Sequence, residues 1–374
     1  MFDQKIAGIM LRRERLLRNW SQETLSKGIC SVSYLSKIEQ GKADADEQLL
    51  AALFEKLEIT WQEISQEESA QHCEMLYELA FADESEDLMH YCEDISNMNP
   101  EKFGAYCVDI WVLMSYCKKD PTMIPEEIHP LLDNRQRCLV YLTEEKPVHA
   151  MHIFPCALSA LYAGVNTYAQ GDYVVALEYL QNGYHLAASE GYARIMMYCQ
   201  AYMANCYADM QNIPGMLKHH QIVHRLANAL GKKELLRDIE YNLRCTQMEC
   251  GEYEAPYDFF AKLENPSVLE LHKLAICCEM RGSREEALSV IEQALNAENI
   301  TETEENMCQI VRYRLNHPEY LKDREYGIRL LQLYERLKKE CPAGFSRFHL
   351  PWVEEWCTTN RQYRMAYEIL RDFL

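Results

Sequence analysis

The segment Ser21–Lys42, SQETLSKGICSVSYLSKIEQGK, restricts this chain more tightly than any other, because its caps and apolar spacing fit two short helices around a tight turn. Ser21, with Thr24 and Leu25 behind it, is placed as an N-cap, where a hydroxyl accepts one of the unpaired N–H groups of a helix start. Gly28-Ile29-Cys30 supplies the turn, Ser31 caps the second helix and Gly41 ends it. Within that helix Leu35 and Ile38 fall three apart and point inward, which leaves Val32, Ser33, Tyr34 and Lys37 outward. This is a helix-turn-helix pattern. Hydroxyl, methyl, phenol and ammonium groups on one exposed face suit the reading of base edges in a major groove, with Ser31 at its start. Gln22, opening the first helix, is placed to meet a phosphate beside the helix-terminal N–H groups.

Charge supports that reading only when it is divided along the chain. The formal net charge is −20, yet residues 1–42 hold eight basic side chains, among them Arg13, Arg15, Lys37 and Lys42, against four acids. A basic end on an acidic body fits a reader of double-stranded DNA whose remaining domain is repelled by the duplex. The first helix, about Asp3 to Asn19, is expected to turn Ile6, Ile9, Met10 and Leu17 inward and its arginines outward. A fourth helix from Asp46 to Leu57 and a short fifth from Thr60 to Ile64 complete a small core of Leu49, Leu53, Phe54, Leu57 and Trp61.

Residues 5–64 resemble the five-helix repressor-type DNA-binding domain, through the Ser-Gln opening and the Ser-Lys-Ile-Glu-x-Gly close of the recognition helix. The Gly-Ile-Cys-Ser turn, one residue shorter than the common repressor pattern, resembles the peptide-sensing PlcR/Rgg/NprR regulators of Gram-positive bacteria. Ala45-Asp46 stands where many relatives carry Pro-Ser and Ser26 replaces a usual Ala; Asp46 caps as well as Ser does, so the fold is expected to survive both.

With 14 Gly and 12 Pro in 374 residues, the rest of the chain reads as helices joined by short turns, an all-α protein. No apolar run of membrane-spanning length and no signal peptide are present, which predicts a cytoplasmic protein with no membrane partner. The 16 cysteines sit at core spacings without Cys-x-x-Cys pairs, so reduced, buried thiols are expected. The polar stretch 65–71 is read as a linker between a DNA-binding domain at 1–64 and a repeat domain at 72–374. Helices are expected over 70–83, 85–97, 101–118 and 125–144. From Tyr162 to Ala176 the sequence resembles a tetratricopeptide repeat: Gly-Asp-Tyr forms the turn between two helices, and Gly164 and Ala176 allow their close approach. Copies follow at Ala204–Tyr207, Gly251–Tyr253 and Gly282–Ala287, with weaker ones at 326–331 and 363–370. Stacked helix pairs predict an α-solenoid with a concave groove.

Little in the sequence points to catalysis, a cofactor or a metal. There is no phosphate loop, dinucleotide fingerprint or nucleophile elbow, and His219, His220 and His224 lack a carboxylate or thiol at matching spacing. With repeats starting at Ala157, Met197, Arg237 and Val268, the groove positions are Tyr162, Tyr198, Tyr202, Asn205, Asp238, Tyr241, Asn242, His272 and Lys273. The tetratricopeptide resemblance implies that Asn205 and Asn242 hold a peptide backbone, since an amide both donates and accepts, and Lys273 is placed to take a carboxylate. The alternative is that these amides satisfy each other between helices. The family resemblance implies a transcriptional regulator that binds operator DNA and a short signalling peptide, and works as a homodimer. The competing reading is a repeat adaptor that docks a protein partner.

Overall fold

The computed structural model describes residues 2–96, 99–231 and 233–371, and among them every regular element is helical. The chain forms two compact units, residues 1–164 with 179–199, and residues 165–178 with 200–374.

The first unit opens with α1 (Phe2–Leu17), α2 (Gln22–Ser26), α3 (Val32–Glu39) and α4 (Glu47–Lys56). Their starts lie where the side-chain caps predict: Ser21 Oγ accepts from Thr24 N–H at 3.0 Å, Ser31 Oγ from Tyr34 N–H at 3.2 Å, and Asp46 Oδ1 from Leu49 N–H at 2.7 Å. Ile6, Met10, Leu25, Leu35, Ile38, Leu53, Phe54 and Leu57 close the small core, and Trp61 stacks on Phe54 at 4.5 Å between ring centroids. Leu17, expected inward, is 63% exposed at the last position of α1.

The fifth helix lies elsewhere than expected. Residues 60–64 run without helix and pair with the next layer, Gln62 N–H donating to Glu101 O at 3.1 Å and Ile64 N–H to Lys102 O at 3.0 Å. The helix begins instead at α5 (Gln66–Phe81), because Ser65 Oγ accepts from Glu68 N–H at 3.2 Å. The stretch read as a linker is thus the first turn of a helix; polar residues mark a capped start as readily as a flexible joint.

Next come α6 (Ser85–Ser96), α7 (Cys107–Lys118), α8 (Asn134–Thr143) and α9 (Pro147–Ile153). The segments expected to be helical from 101 and from 125 begin as 3-10 turns over Pro100–Tyr106 and Glu126–Leu131; α8 starts only at its Asp133–Gln136 capping box.

The repeats are the pairs α10 (Ala157–Ala169) with α11 (Tyr173–Glu190), α12 (Ala193–Asp209) with α13 (Ile213–Leu230), and α14 (Lys233–Glu249) with α15 (Glu254–Phe260). They continue as α16 (Val268–Met280) with α17 (Arg284–Leu295), α18 (Glu302–Asn316) with α19 (Arg324–Glu340), and α20 (Ala343–Thr359) with α21 (Tyr363–Arg371). The Gly-Asp-Tyr turn lies between α10 and α11 as read, with Gly171 at φ 85°; a Cβ on Gly164 would come 2.6 Å from Leu180. Two helices, α12 and α14, start four residues before the positions taken as repeat starts, Met197 and Arg237.

Candidate functional site

On α3 the side chains Ser31, Val32, Ser33, Tyr34 and Lys37 are all exposed, Val32 at 42% and Tyr34 at 37%, while Leu35, Ile38 and Glu39 are buried. The nominated reading face is therefore a single open surface. One group on it is already engaged: Tyr34 Oη donates to the Asp44 carbonyl at 2.7 Å and so braces α3 against the turn that leads into α4. Lys42 is exposed beside it, its ammonium donating to Gln40 Oε1 at 2.8 Å.

Two arginines nominated for DNA are placed otherwise. Arg15 is 7% exposed and forms a bidentate pair with Glu39, Nε to Oε1 at 2.6 Å and an Nη to Oε2 at 2.8 Å, while its other Nη donates to Trp20 O at 2.7 Å. Gln22 joins the same clamp, its amide donating to Glu39 Oε2 at 2.8 Å, and is only half-buried at the foot of α3. Arg13 pairs with Glu14 and leans over Trp111 of α7, 6.0 Å from its ring centroid. Periodicity puts these arginines on the polar side of α1; the acid and the indole that claim them lie 24 and 98 residues further on, where no helical repeat can announce them.

The sequence also concealed two supports of α3. Gly8 lets the α1 backbone lie against α3 so closely that a Cβ there would be 2.1 Å from Ile38 O. Lys56 of α4 donates to the carbonyls of Leu25 at 3.1 Å and Lys27 at 2.7 Å, which satisfies the otherwise unpaired end of α2.

The residues nominated for a peptide groove separate into two groups. In the first unit Tyr162 Oη lies 3.3 Å from Asp83 Oδ1 and is pushed up to about 12, chiefly by burial, while Arg194 sits 5.7 Å over the Tyr198 ring. The others lie in the second unit. Tyr202 meets Tyr168 edge-on at 5.7 Å, Asp238 is exposed, and half-buried Tyr241 packs edge-on to Phe260 at 5.9 Å. Asn242 Nδ2 donates to Asn205 Oδ1 at 3.0 Å, so the two amides bridge α12 and α14.

His272 and Lys273, expected on the groove, lie in the interior. His272 is fully buried, its ring stacked 5.8 Å from His349, and Lys273 is 4% exposed with its ammonium 3.1 Å from the Phe348 ring centroid. Burial lowers the affinity of both for a proton.

Their neighbours belong to α20, one face of which meets α11, α12, α14, α16 and α18: Gly344 approaches Asp209, Arg347 faces Tyr173, Asp209 and Glu249, Phe348 covers Lys273, and Trp352 lies 4.2 Å from Arg314. The phenols of Tyr168 and Tyr173 converge on Asp209, whose Oδ2 is buried without a hydrogen bond. Glu249 is solvent-accessible, yet its crowded surroundings raise it to about 7 against the partial counter-pull of Arg347. Nothing in the local pattern links Arg347 to Asp209; only the last repeat, read as a weak copy, brings them together.

Of the three histidines of α13, His219 bonds to Gln200 at 2.6 Å and His224 to Asn228 at 2.9 Å, while His220 faces Glu240 at 3.6 Å with its Nε2 buried and without a hydrogen bond. Among the described residues no three His, Cys, Asp or Glu side chains gather as a metal site, and no helix is long and apolar enough to cross a membrane.

Residues 11–64 match the helix-turn-helix family model. No curated protein matches the chain. Among solved structures, the crystal structure of Bacillus thuringiensis PlcR in complex with the peptide PapR7 and DNA is similar at 14% identity, over 97% of this chain and 98% of that one, with a TM-score of 0.17. At that score no residue of one chain is placed by the other. Residues 11–64 are therefore a helix-turn-helix domain, at the head of a chain whose regular elements are all helices among the described residues.

Proposed function

We propose that this protein is a transcriptional regulator that inserts α3 into the DNA major groove and takes a short peptide on the inner helices of its repeats. The observation that carries the reading is the open face of Ser31, Val32, Ser33, Tyr34 and Lys37, on a helix fixed from behind by Gly8, Glu39 and Arg15. One such helix reads only a few base pairs, so a homodimer on paired half-sites supplies the remaining affinity. For the peptide, the Asn205–Asn242 pair offers amide edges to a backbone, and Asp209 with Glu249 offers carboxylates to a cationic group. Lys273, beneath Phe348, is not offered to a carboxylate. A coupling of about 1–3 kcal/mol between the peptide and DNA sites makes a useful switch.

The test is selection of duplexes from a randomised pool by the full chain, followed by competition with random DNA. Lys37→Ala and Ser33→Ala are expected to weaken the selected sequence more than random DNA, by about 1–3 kcal/mol where a base contact is lost. Equal losses on both would remove α3 as the reader. A synthetic library of short peptides, scored for its effect on the DNA affinity of the full chain, tests the second half; a library without effect refutes it.

A further inference from the structure

We infer that Cys138 and Cys156 form an oxidisable dithiol, in which Cys156 is the residue attacked by a hydroperoxide and Cys138 the one that closes the disulfide.

The pair stands on geometry within the first unit. Cys156 immediately precedes α10 and serves as its cap: Ser159 N–H donates to its Sγ at 3.4 Å, and Cys156 N–H donates to Ser159 Oγ at 3.1 Å. A sulfur at the start of a helix that accepts backbone N–H is placed to carry negative charge. The Cys138 thiol arrives from α8, fully buried, and lies close enough to that sulfur for the two to interact. Both are free thiols.

Access separates this pair from the other buried cysteines. A cavity of about 600 Å³ is lined by Tyr77, Phe81, Arg135, Phe154, Cys156 and Tyr192, so a small oxidant that enters it meets Cys156 and not Cys138. Titration agrees with the assignment. Interaction with Cys138 and hydrogen bonds from Ser159 hold Cys156 down at about 7, whereas Cys138 is pushed far up, and burial alone raises Cys199 to about 12. Cys92 and Cys117 are a second interacting pair, but neither lines this cavity.

The chemistry balances with hydrogen peroxide as oxidant. The Cys156 thiolate attacks one peroxide oxygen, the O–O bond breaks, and the departing hydroxide takes a proton and leaves as water, with Cys156 now a sulfenic acid. The Cys138 sulfur then attacks Cys156 Sγ; the S–O bond breaks, and the leaving hydroxide takes the Cys138 proton to give a second water. Two thiols are oxidised by two electrons and one peroxide is reduced. The bond fastens α8 to the start of α10.

The experiment treats the full chain with hydrogen peroxide, blocks the remaining thiols by alkylation and maps disulfides by mass spectrometry. Because Lys146 precedes Pro147, trypsin leaves both cysteines in one peptide, so cleavage after Glu145 is added. The expected product is a 138–156 link, formed at a rate that rises about tenfold between pH 6 and pH 8 as the Cys156 thiolate fills. In Cys138→Ser, dimedone is expected to trap a sulfenic acid on Cys156 that the unmutated chain does not retain. The inference is overturned if exposed Cys250 or the Cys92–Cys117 pair is oxidised while Cys156 stays reduced. The map of the unmutated chain decides this even if the variant fails to fold.

Discussion

Replacing Arg15 by alanine separates a structural clamp from a DNA contact. The guanidinium holds a carboxylate that is itself 3% exposed, through two charge-assisted hydrogen bonds of 2.6 and 2.8 Å. Removing it leaves Glu39 charged and buried with only the neutral Gln22 amide, at a cost of about 3–5 kcal/mol for a broken buried pair. Every 1.4 kcal/mol is a factor of ten, so amide exchange across residues 21–42 is expected to accelerate about 10²- to 4 × 10³-fold, or to the unprotected limit if that comes first. Hydrogen exchange on the full chain, read by mass spectrometry at the α3 peptides, measures this without requiring the two units to unfold together. The double variant Arg15→Met with Glu39→Met is expected to recover most of the protection, since apolar groups of similar volume replace a buried ion pair at little cost. If Arg15→Ala keeps the protection of the unmutated chain and loses DNA affinity, the arginine faces phosphate and the clamp is wrong.

Three further outcomes follow from the same geometry. Gly8→Ala is expected to force α1 from α3 and cost about 1–3 kcal/mol despite the better helix propensity of alanine; a more protected α3 in exchange would refute the close approach. Tyr34→Phe removes the hydrogen bond to Asp44 O, and is expected to lower DNA affinity while leaving sequence preference intact; a lost preference would make the phenol hydroxyl a base reader. Glu249 is raised to about 7 from its ordinary 4.5, so the folded state favours its protonated form and loses stability as pH climbs from 4.5 through 7. Glu249→Gln is expected to flatten that part of the pH profile and to be the more stable chain above pH 7; urea midpoints at pH 5 and pH 8 check it, and unchanged slopes would count against the shift.

What the sequence made legible was local. Ser21, Ser31 and Asp46 announce helix starts because a cap is satisfied within three residues, and Leu35 and Ile38 announce a buried stripe because helical period is short-range. The same rules misplace what depends on distant partners. An arginine on the polar side of α1 reads alike whether water or Glu39 receives it, and Lys273 reads as a groove cation until Phe348 of α20 is seen above its ammonium. Asn205 and Asn242 were open between holding a ligand and holding each other, and the structure brings the two amides into contact. The stretch 60–71 reads as a short helix and a joint because the carbonyls of Glu101 and Lys102 that accept from its amides are remote in sequence, and a Ser65 cap is equally consistent with a joint.

The backbone pairing at Gln62 and Ile64 has an engineering consequence. A reader held by main-chain bonds to the adjoining layer, and by Arg13 against Trp111, has no swivel beneath it. Transplanting another helix-turn-helix head onto this repeat domain at residue 64 would import a recognition helix but not its mounting. A chimera meant to report on the repeats would have to carry its seam at least as far as Tyr106.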